Sequence, residues 1–269
     1  MTTSSTSPFH LRPAKPTSAD HAFILSAFDS SLPFLTSIGS LDQWGKTPFS
    51  QRGDFAEATL KELNYSEEFR LTGTSGLDSN LRMFIAEREL YQQQQQHDEG
   101  QLQAEFVRVT PDGRRFLPVG VAYVRENWVP NYVKTQTHLP MPEVKYGGGG
   151  FLYLEVMVTD NREDRRELSR GAGAALIRGI REYGEAKGMR ALWVDGWAGN
   201  ERKLIRFVYL YFLYHPHLHH FVQIMRVEGV NMDFFDRYYE QQGFRAVGEW
   251  SHMRTNNVPW LGTLMCMEI

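Results

Sequence analysis

The segment Leu168-Ser-Arg-Gly-Ala-Gly-Ala-Ala-Leu-Ile177 lies between an apolar, strand-like run and a helical pattern, and it constrains the chain most. Small residues crowd around Gly171 and Gly173, so the main chain there can approach another group closely. The helix that follows points its first N–H groups at the same spot, the way a pyrophosphate is held without a side chain. Leu176, Ile177, Ile180 and Tyr183 draw an apolar stripe on that helix. Upstream, Leu152, Leu154, Val156 and Val158 alternate with Tyr153, Glu155 and Met157, as on a strand with two differently used faces. Downstream, Leu192-Trp-Val-Asp195 reads as a second strand, which completes a βαβ unit.

Composition narrows the class. A chain of 269 residues with 42% apolar content and six Trp can build a real core, and one domain with insertions is the default. A net charge of −3 gives no electrostatic footprint for nucleic acid. Cys266 is the one cysteine, which excludes an internal disulfide framework and fits a reducing compartment. Met1 to Ser7 has neither a cationic segment nor an apolar stretch of the secretory kind. The strongest apolar run, Phe207 to Leu213, is far below the ~20 residues that cross a bilayer. These features predict a cytosolic protein with no membrane partner.

Further elements follow from periodicity. Residues 1–8 read as a disordered tail, and 9–269 as a single domain. Phe9 to Ala14 begins a short strand, and Asp20 is placed to cap a helix bearing Phe23, Ile24, Ala27 and Phe28. A turn-rich loop, Ser37 to Pro48, carries Trp44 and is expected to pack in an ordered way. A helix covers Asp54 to Leu63, and strands are predicted at Leu81–Arg88, Val119–Val124, Phe151–Thr159, Ala191–Asp195, Arg245–Met253 and Gly262–Glu268. Gln92 to Gln96 lies in a low-complexity insertion at about 91–104, and Gly147 to Gly150 forms a linker. One long helix runs from Leu168 to Lys187 and closes at Gly188. The fold class expected is α/β: a single mixed, mostly antiparallel sheet with helices on both faces.

Two readings compete at the small-residue loop. A Rossmann dinucleotide site has the acid it needs in Asp195 but wants a small residue where Leu176 stands, and the charged stretch Thr159 to Arg170 is too long for its tight turn. A helix start packed tightly for structural reasons is the plainer alternative.

Four stretches taken together carry a resemblance: Val158, then Arg170 to Ile177, then Leu192-Trp-Val-Asp-Gly-Trp-Ala-Gly-Asn200, then Tyr239-Glu-Gln-Gln-Gly-Phe244. In these the chain resembles the GCN5-related N-acetyltransferase (GNAT) superfamily. Leu11 to Ala14 and Asp20 resemble that family's first strand and helix, and Gly39 to Gly45 is similar to a subgroup of microbial members. The resemblance implies the acyl-CoA N-acyltransferase fold. It also implies transfer of an acetyl group from acetyl-CoA to an amine of a small molecule or peptide, by direct attack in a ternary complex.

On the same ground, Leu168, Ser169, Arg170, Gly171, Ala172, Gly173 and Ala174 would face the cofactor's pyrophosphate. The family has Arg or Gln where Leu168 stands, with Arg170 two residues on. Main-chain groups at Val156, Met157 and Val158 would pair with the pantetheine arm as an added strand and polarise the thioester carbonyl. Asn200 would bind that arm or cap the last helix. An ammonium acceptor needs a base, for which Glu155 is the first candidate and Asp195 the second. Tyr239 maps to the tyrosine that gives a proton to the leaving thiolate. Each has a plainer alternative: a solvated strand carboxylate, a capping residue, and a ring packed beside Phe244. The aromatic loops around Trp44, Trp128 and Trp197 would form the acceptor pocket, with Asp42 or Glu126 attracting a cation. A monomer or a homodimer is compatible with all of this.

The 38 residues between Asn200 and Tyr239 exceed the short helix that the resemblance implies. Removing 207–237 joins Arg206 to Tyr238 and restores a compact motif, so the aromatic segment reads as a translated intron. A genuine lid or oligomer contact is the alternative. His215, His217, His219 and His220 lack carboxylate or cysteine partners at regular spacing, and no metal is expected there. If turnover is lost, the chain is an acyl-CoA-binding protein of the same fold.

Overall fold

The computed structural model describes residues 7–73, 80–90, 106–142, 149–198, 238–254 and 259–269. The expectations for the tail before residue 7, the insertion at about 91–104, Gly147, Gly148, Asn200, the segment 207–237 and its four histidines fall outside the described residues.

In chain order the elements are β1 (Phe9–Pro13), α1 (Ser18–Ser37), α2 (Phe55–Thr72), β2 (Leu81–Leu90), β3 (Arg108–Val109), β4 (Arg115–Glu126), α3 (Asn131–Lys134), β5 (Phe151–Thr159), α4 (Arg166–Ser169), α5 (Ala172–Ala186), β6 (Ala191–Trp197), α6 (Tyr238–Gln241), β7 (Arg245–Met253) and β8 (Pro259–Glu268). Eight strands form one sheet in the order β1-β2-β4-β5-β6-β8-β7, with β3 paired to β4 off this path. Every pairing is antiparallel except β5–β6. Those two are joined by the crossover through α5, as a parallel pair requires. The expected mixed, mostly antiparallel sheet is therefore observed.

Both faces are covered. One carries α5 and α6, with Leu152, Leu154, Leu176, Ile177, Ile180, Leu192 and Val194 in its core. The other divides in two. Over β2 and β4, α1 and α2 bury Phe23, Ile24, Leu63, Met83 and Ile85. Over β5, β6 and β8 lie Val129, Val133 and Leu139, against Phe151, Tyr153, Trp193 and Trp250. Trp44 packs on Phe28 and Phe49, with ring centroids 5.8 and 5.4 Å away, so its loop is ordered as expected.

Local chemistry corrects several sequence expectations. The cap of α1 is Thr17, whose side chain accepts from the Asp20 amide. Asp20 sits inside the first turn, and Arg12 donates to both its oxygens at 2.7 Å. Helix α2 runs on to Thr72, nine residues beyond Leu63, and stops where Gly73 turns left-handed (φ +70°). The single helix expected over Leu168–Lys187 is two. Arg170 leaves helical geometry (ψ 120°) and Gly171 adopts φ +89°, so α5 starts afresh at Ala172.

The alternation expected along β5 breaks at Glu155. Strand β4 pairs Tyr123 with Val156 and Val124 with Leu154, which leaves Glu155 as the extra residue of a bulge. Leu152, Leu154 and Met157 consequently pack toward α5, while Val156 and Val158 pack toward α1. Side-chain direction along a strand has period two, so one extra residue exchanges the faces.

Candidate functional site

Strands β5 and β6 run together only from Phe151 opposite Ala191 to Leu154 opposite Val194. Beyond that rung β5 stays on β4, through Val156, Met157, Val158 and Thr159, and β6 stays on β8, through Asp195, Gly196 and Trp197. The facing edges separate into a slot. Main-chain groups on the slot side of Val156–Val158 have no strand partner among the described residues, an edge that can accept an extended chain. Glu155 and Asp195 are the first residues past the split, one on each side.

The start of α5 is built by Gly171. Its positive φ turns the chain, and the first helical bond is from the Ala175 amide to the Gly171 carbonyl, 3.0 Å. The amides of Ala172, Gly173 and Ala174 precede that bond and have no partner within the helix. Under the turn lies the Phe9 ring, 3.3 Å from where a Gly171 Cβ would stand. A Cβ on Gly173 would stand 2.6 Å from the Tyr238 hydroxyl and 3.7 Å from the Met157 Cε. The Tyr238 hydroxyl and the Ser169 Oγ are buried without hydrogen-bond partners. The Leu168 carbonyl accepts from Arg88 at 3.1 Å, and its side chain packs into the α5 core. Arg170 points out and pairs with Glu167 at 2.6 Å.

The carboxylates are differently held. Arg125 donates to Glu155 at 2.6 Å, and its guanidinium lies 4.7 Å from the Trp128 ring. Asp195 accepts from the Tyr132 hydroxyl at 3.2 Å and from the Tyr153 hydroxyl. Burial and the nearby Glu155 charge push Asp195 up to about 6, against the pull of those two hydroxyls. Both tyrosines are driven well above the ordinary phenol range, by burial first and then by the Asp195 charge. Tyr239 packs between Tyr238 and Phe244, with centroids 5.4 and 5.5 Å away, and burial and Asp195 push it up to about 12. Proximity to Asp195 thus coexists with its plainer packing role.

A residue that the sequence did not single out belongs to the same cluster. Glu62, on α2, is pushed up to about 7 by burial and then by Glu155, with Arg125 opposing. It makes no hydrogen bond or ion pair among the described residues. Nothing local marks it, because Lys61-Glu62 and Asn64 on an amphipathic helix read as solvated surface. Tyr238 was within reach of the sequence, since it adjoins Tyr239.

Of the residues expected to draw a cation, Glu126 does not serve. It is buried toward α5, where Tyr183 donates to it and Lys187 lies 3.0 Å away. Asp42 is exposed, and its carbonyl accepts from Arg254 at 2.8 Å. That bond ties the α1–α2 loop to the end of β7. Trp128 stands T-shaped to Tyr153 at 5.8 Å, and Tyr132 stacks on Trp250 and Trp260 at 4.8 and 5.8 Å, so aromatic rings do wall the Asp195 side. Trp44 belongs to the α1 core, and Trp197 is half-buried at the end of β6.

No family model matches the sequence, and no curated protein matches it either. Among solved structures, the chain is similar to an acetyltransferase of the GNAT family from Streptococcus pneumoniae (15% identity, TM-score 0.40, covering 97% of this chain and 99% of that one). It is also similar to a ribosomal-protein-alanine N-acetyltransferase from Brucella melitensis (12%, 0.43, 97% and 99%). A third is Arabidopsis thaliana NAA60 in complex with acetyl-CoA (12%, 0.44, 97% and 98%). Among the described residues no helix is long and apolar enough to cross a membrane, and no cluster of His, Cys, Asp and Glu could hold a metal.

Proposed function

We propose that this chain is an N-acetyltransferase of the GNAT type, acting in the cytosol on an amine of a small molecule or peptide. The observation that carries the reading is the slot between β5 and β6, which runs toward the three unengaged amides that open α5. Acetyl-CoA, when bound, supplies an activated acetyl thioester.

The residues present suit such a group. Gly173, lacking a Cβ, lets the Tyr238 hydroxyl come close to the start of α5, and that hydroxyl and the buried Ser169 Oγ both have unspent hydrogen-bonding capacity. The amides of Ala172, Gly173 and Ala174, at the positive end of a 15-residue helix, would hold the diphosphate. The slot-side main chain at Val156–Val158, which has no strand partner among the described residues, would align the pantetheine arm as an added strand. Carboxylates on the opposite sheet face would attract an ammonium acceptor, and direct attack within a ternary complex follows from placing both in one slot. Tyr239, close to Asp195, would return a proton to the departing sulfur.

Two measurements test this. Acetyl-CoA at about 100 times Kd should stabilise the fold by about 2.7 kcal/mol, a Tm rise of several degrees. Thiol release with a panel of primary amines should accompany it. A shift without release leaves an acyl-CoA-binding protein. A shift produced by NAD in place of acetyl-CoA overturns the reading in favour of a dinucleotide site.

A further inference from the structure

We infer that this chain carries a second small-molecule site, at the end of the sheet opposite the slot, suited to an aromatic carboxylate. The site is independent of the acetyl transfer proposed above.

The slot opens past Leu154 and Val194, where β5 and β6 finish their pairing. At the start of the same two strands, around Phe151 and Ala191, lies a cavity of about 370 Å³. That size is within the range of small-ligand sites. Phe151, Tyr153, Ala191 and Trp193 share one sheet face, because alternate residues of these paired strands point the same way. Phe151 and Trp193, 5% and 9% exposed, line the cavity with aromatic surface. Pro140, Met141 and Pro142 supply further apolar lining, and Met141 packs on the cluster that holds both rings. Arg190 is exposed and is the one charged residue of the lining.

Close backbone contact fixes this framework. The Arg190 amide donates to the Gly150 carbonyl at 2.9 Å, and the Phe151 amide donates to the Asn127 Oδ1 at 2.9 Å. A Cβ on Gly149 would overlap the Gly188 carbonyl, and one on Gly150 would overlap the Asn127 side chain. The two glycines therefore let the chain entering β5 lie directly against the turn before β6, which sets Arg190 at the cavity.

Both polar side chains of the lining are donors, and neither is spent. The Trp193 Nε1–H is buried without a hydrogen-bond partner. The Arg190 guanidinium makes no hydrogen bond or ion pair among the described residues. Indole and guanidinium N–H groups can only donate. A buried donor without a partner is costly, so a ligand that brings an acceptor relieves that cost. The fitting occupant has an acceptor for the indole, a negative charge for the guanidinium and a flat apolar body for the rest. Arg190 repels an ammonium, which separates this ligand from the acceptor amine of the slot. A bare inorganic anion leaves Phe151, Met141 and the prolines unmatched.

The test titrates the full chain with 2-naphthoate, naphthalen-2-ylmethylamine and inorganic phosphate, and follows the indole N–H signals by NMR. The chain has six tryptophans, and the signal missing in W193F is that of Trp193. Naphthoate should move this signal and saturate with a Kd of about 1 mM or tighter, the scale for a ligand of this size. The amine and phosphate should leave it in place. R190M should weaken naphthoate about tenfold, the size of one hydrogen bond to a charged group. R181M, at an exposed arginine on α5, should leave Kd unchanged. A Trp193 signal that naphthoate does not move overturns the site. So does an equal response to the amine or to phosphate, or a Kd that R190M changes no more than R181M.

Discussion

Tyr153 and Asp195 stand on neighbouring parallel strands, and the hydroxyl of the first donates to the carboxylate of the second just where the strands part. The Tyr132 hydroxyl reaches the same carboxylate from α3. Asp195 is therefore fixed in place and burdened by its burial at once. Its folded pKa, about 6, lies above the ordinary aspartate value near 4. The folded state holds the proton more tightly, so the stabilisation is complete below about pH 4 and is lost as pH rises through 6. D195N, always neutral, should not show that loss. From pH 4.5 to 7.5, its stability relative to wild type should improve by about 1–2 kcal/mol, read by urea unfolding at each pH. Parallel curves would refute this account of Asp195.

Gly173 and Tyr238 form a second testable pair. G173A places a methyl 2.6 Å from the Tyr238 oxygen. The expected cost is about 1 kcal/mol, with weaker binding of acetyl-CoA because the same methyl crowds the amides. Y238F removes a buried hydroxyl that has no partner, so it should be neutral or slightly stabilising. In the double variant G173A should cost measurably less, and a thermodynamic cycle yields the coupling. Simple additivity would show that the two do not meet.

Arg125 restrains two carboxylates. R125M should destabilise the fold by about 1–3 kcal/mol, because it strands the partly buried Glu155. It should also raise the Glu62 pKa above 7, since Arg125 is the one group that opposes the rise. Denaturant unfolding measures the first effect and carboxyl NMR the second. A Glu62 titration that moves down would contradict the placement of Arg125.

Gly262 pairs across strands with Trp250, and a Cβ there would lie 2.1 Å from the indole ring, which is 2% exposed. G262A should cost about 3 kcal/mol, the upper end for overpacking. Because Trp250 stacks on Tyr132, the Asp195 pKa should shift as well. Loss of stability with Asp195 unmoved would mean that the stack does not position Tyr132.

The sequence reading succeeded where information is local. The apolar stripe Leu176, Ile177, Ile180 and Tyr183 places α5, and β5 begins and ends at Phe151 and Thr159 as its pattern implies. It failed where a partner decides. The bulge at Glu155 depends on the register of β4, and no window within β5 reveals it. Arg170 and Gly171 divide the helix because a positive φ at Gly171 serves the turn, whereas their residue types alone permit continuation. Glu62 comes within range of Glu155 only through the packing of α2 on the sheet, so its altered proton affinity is a tertiary property. Tyr132 and Tyr153, far apart in the chain, became partners of Asp195 the same way.

The additional residue in β5 also limits how this chain can diverge. Swapping one side chain for another of like size leaves the strand legible, but a single codon gained between 155 and 156, with the bulge kept, would turn Met157 outward from its helix and bring the valines in. Substitution and insertion therefore carry very different risks there, and a survey of natural variants should find the first common and the second missing.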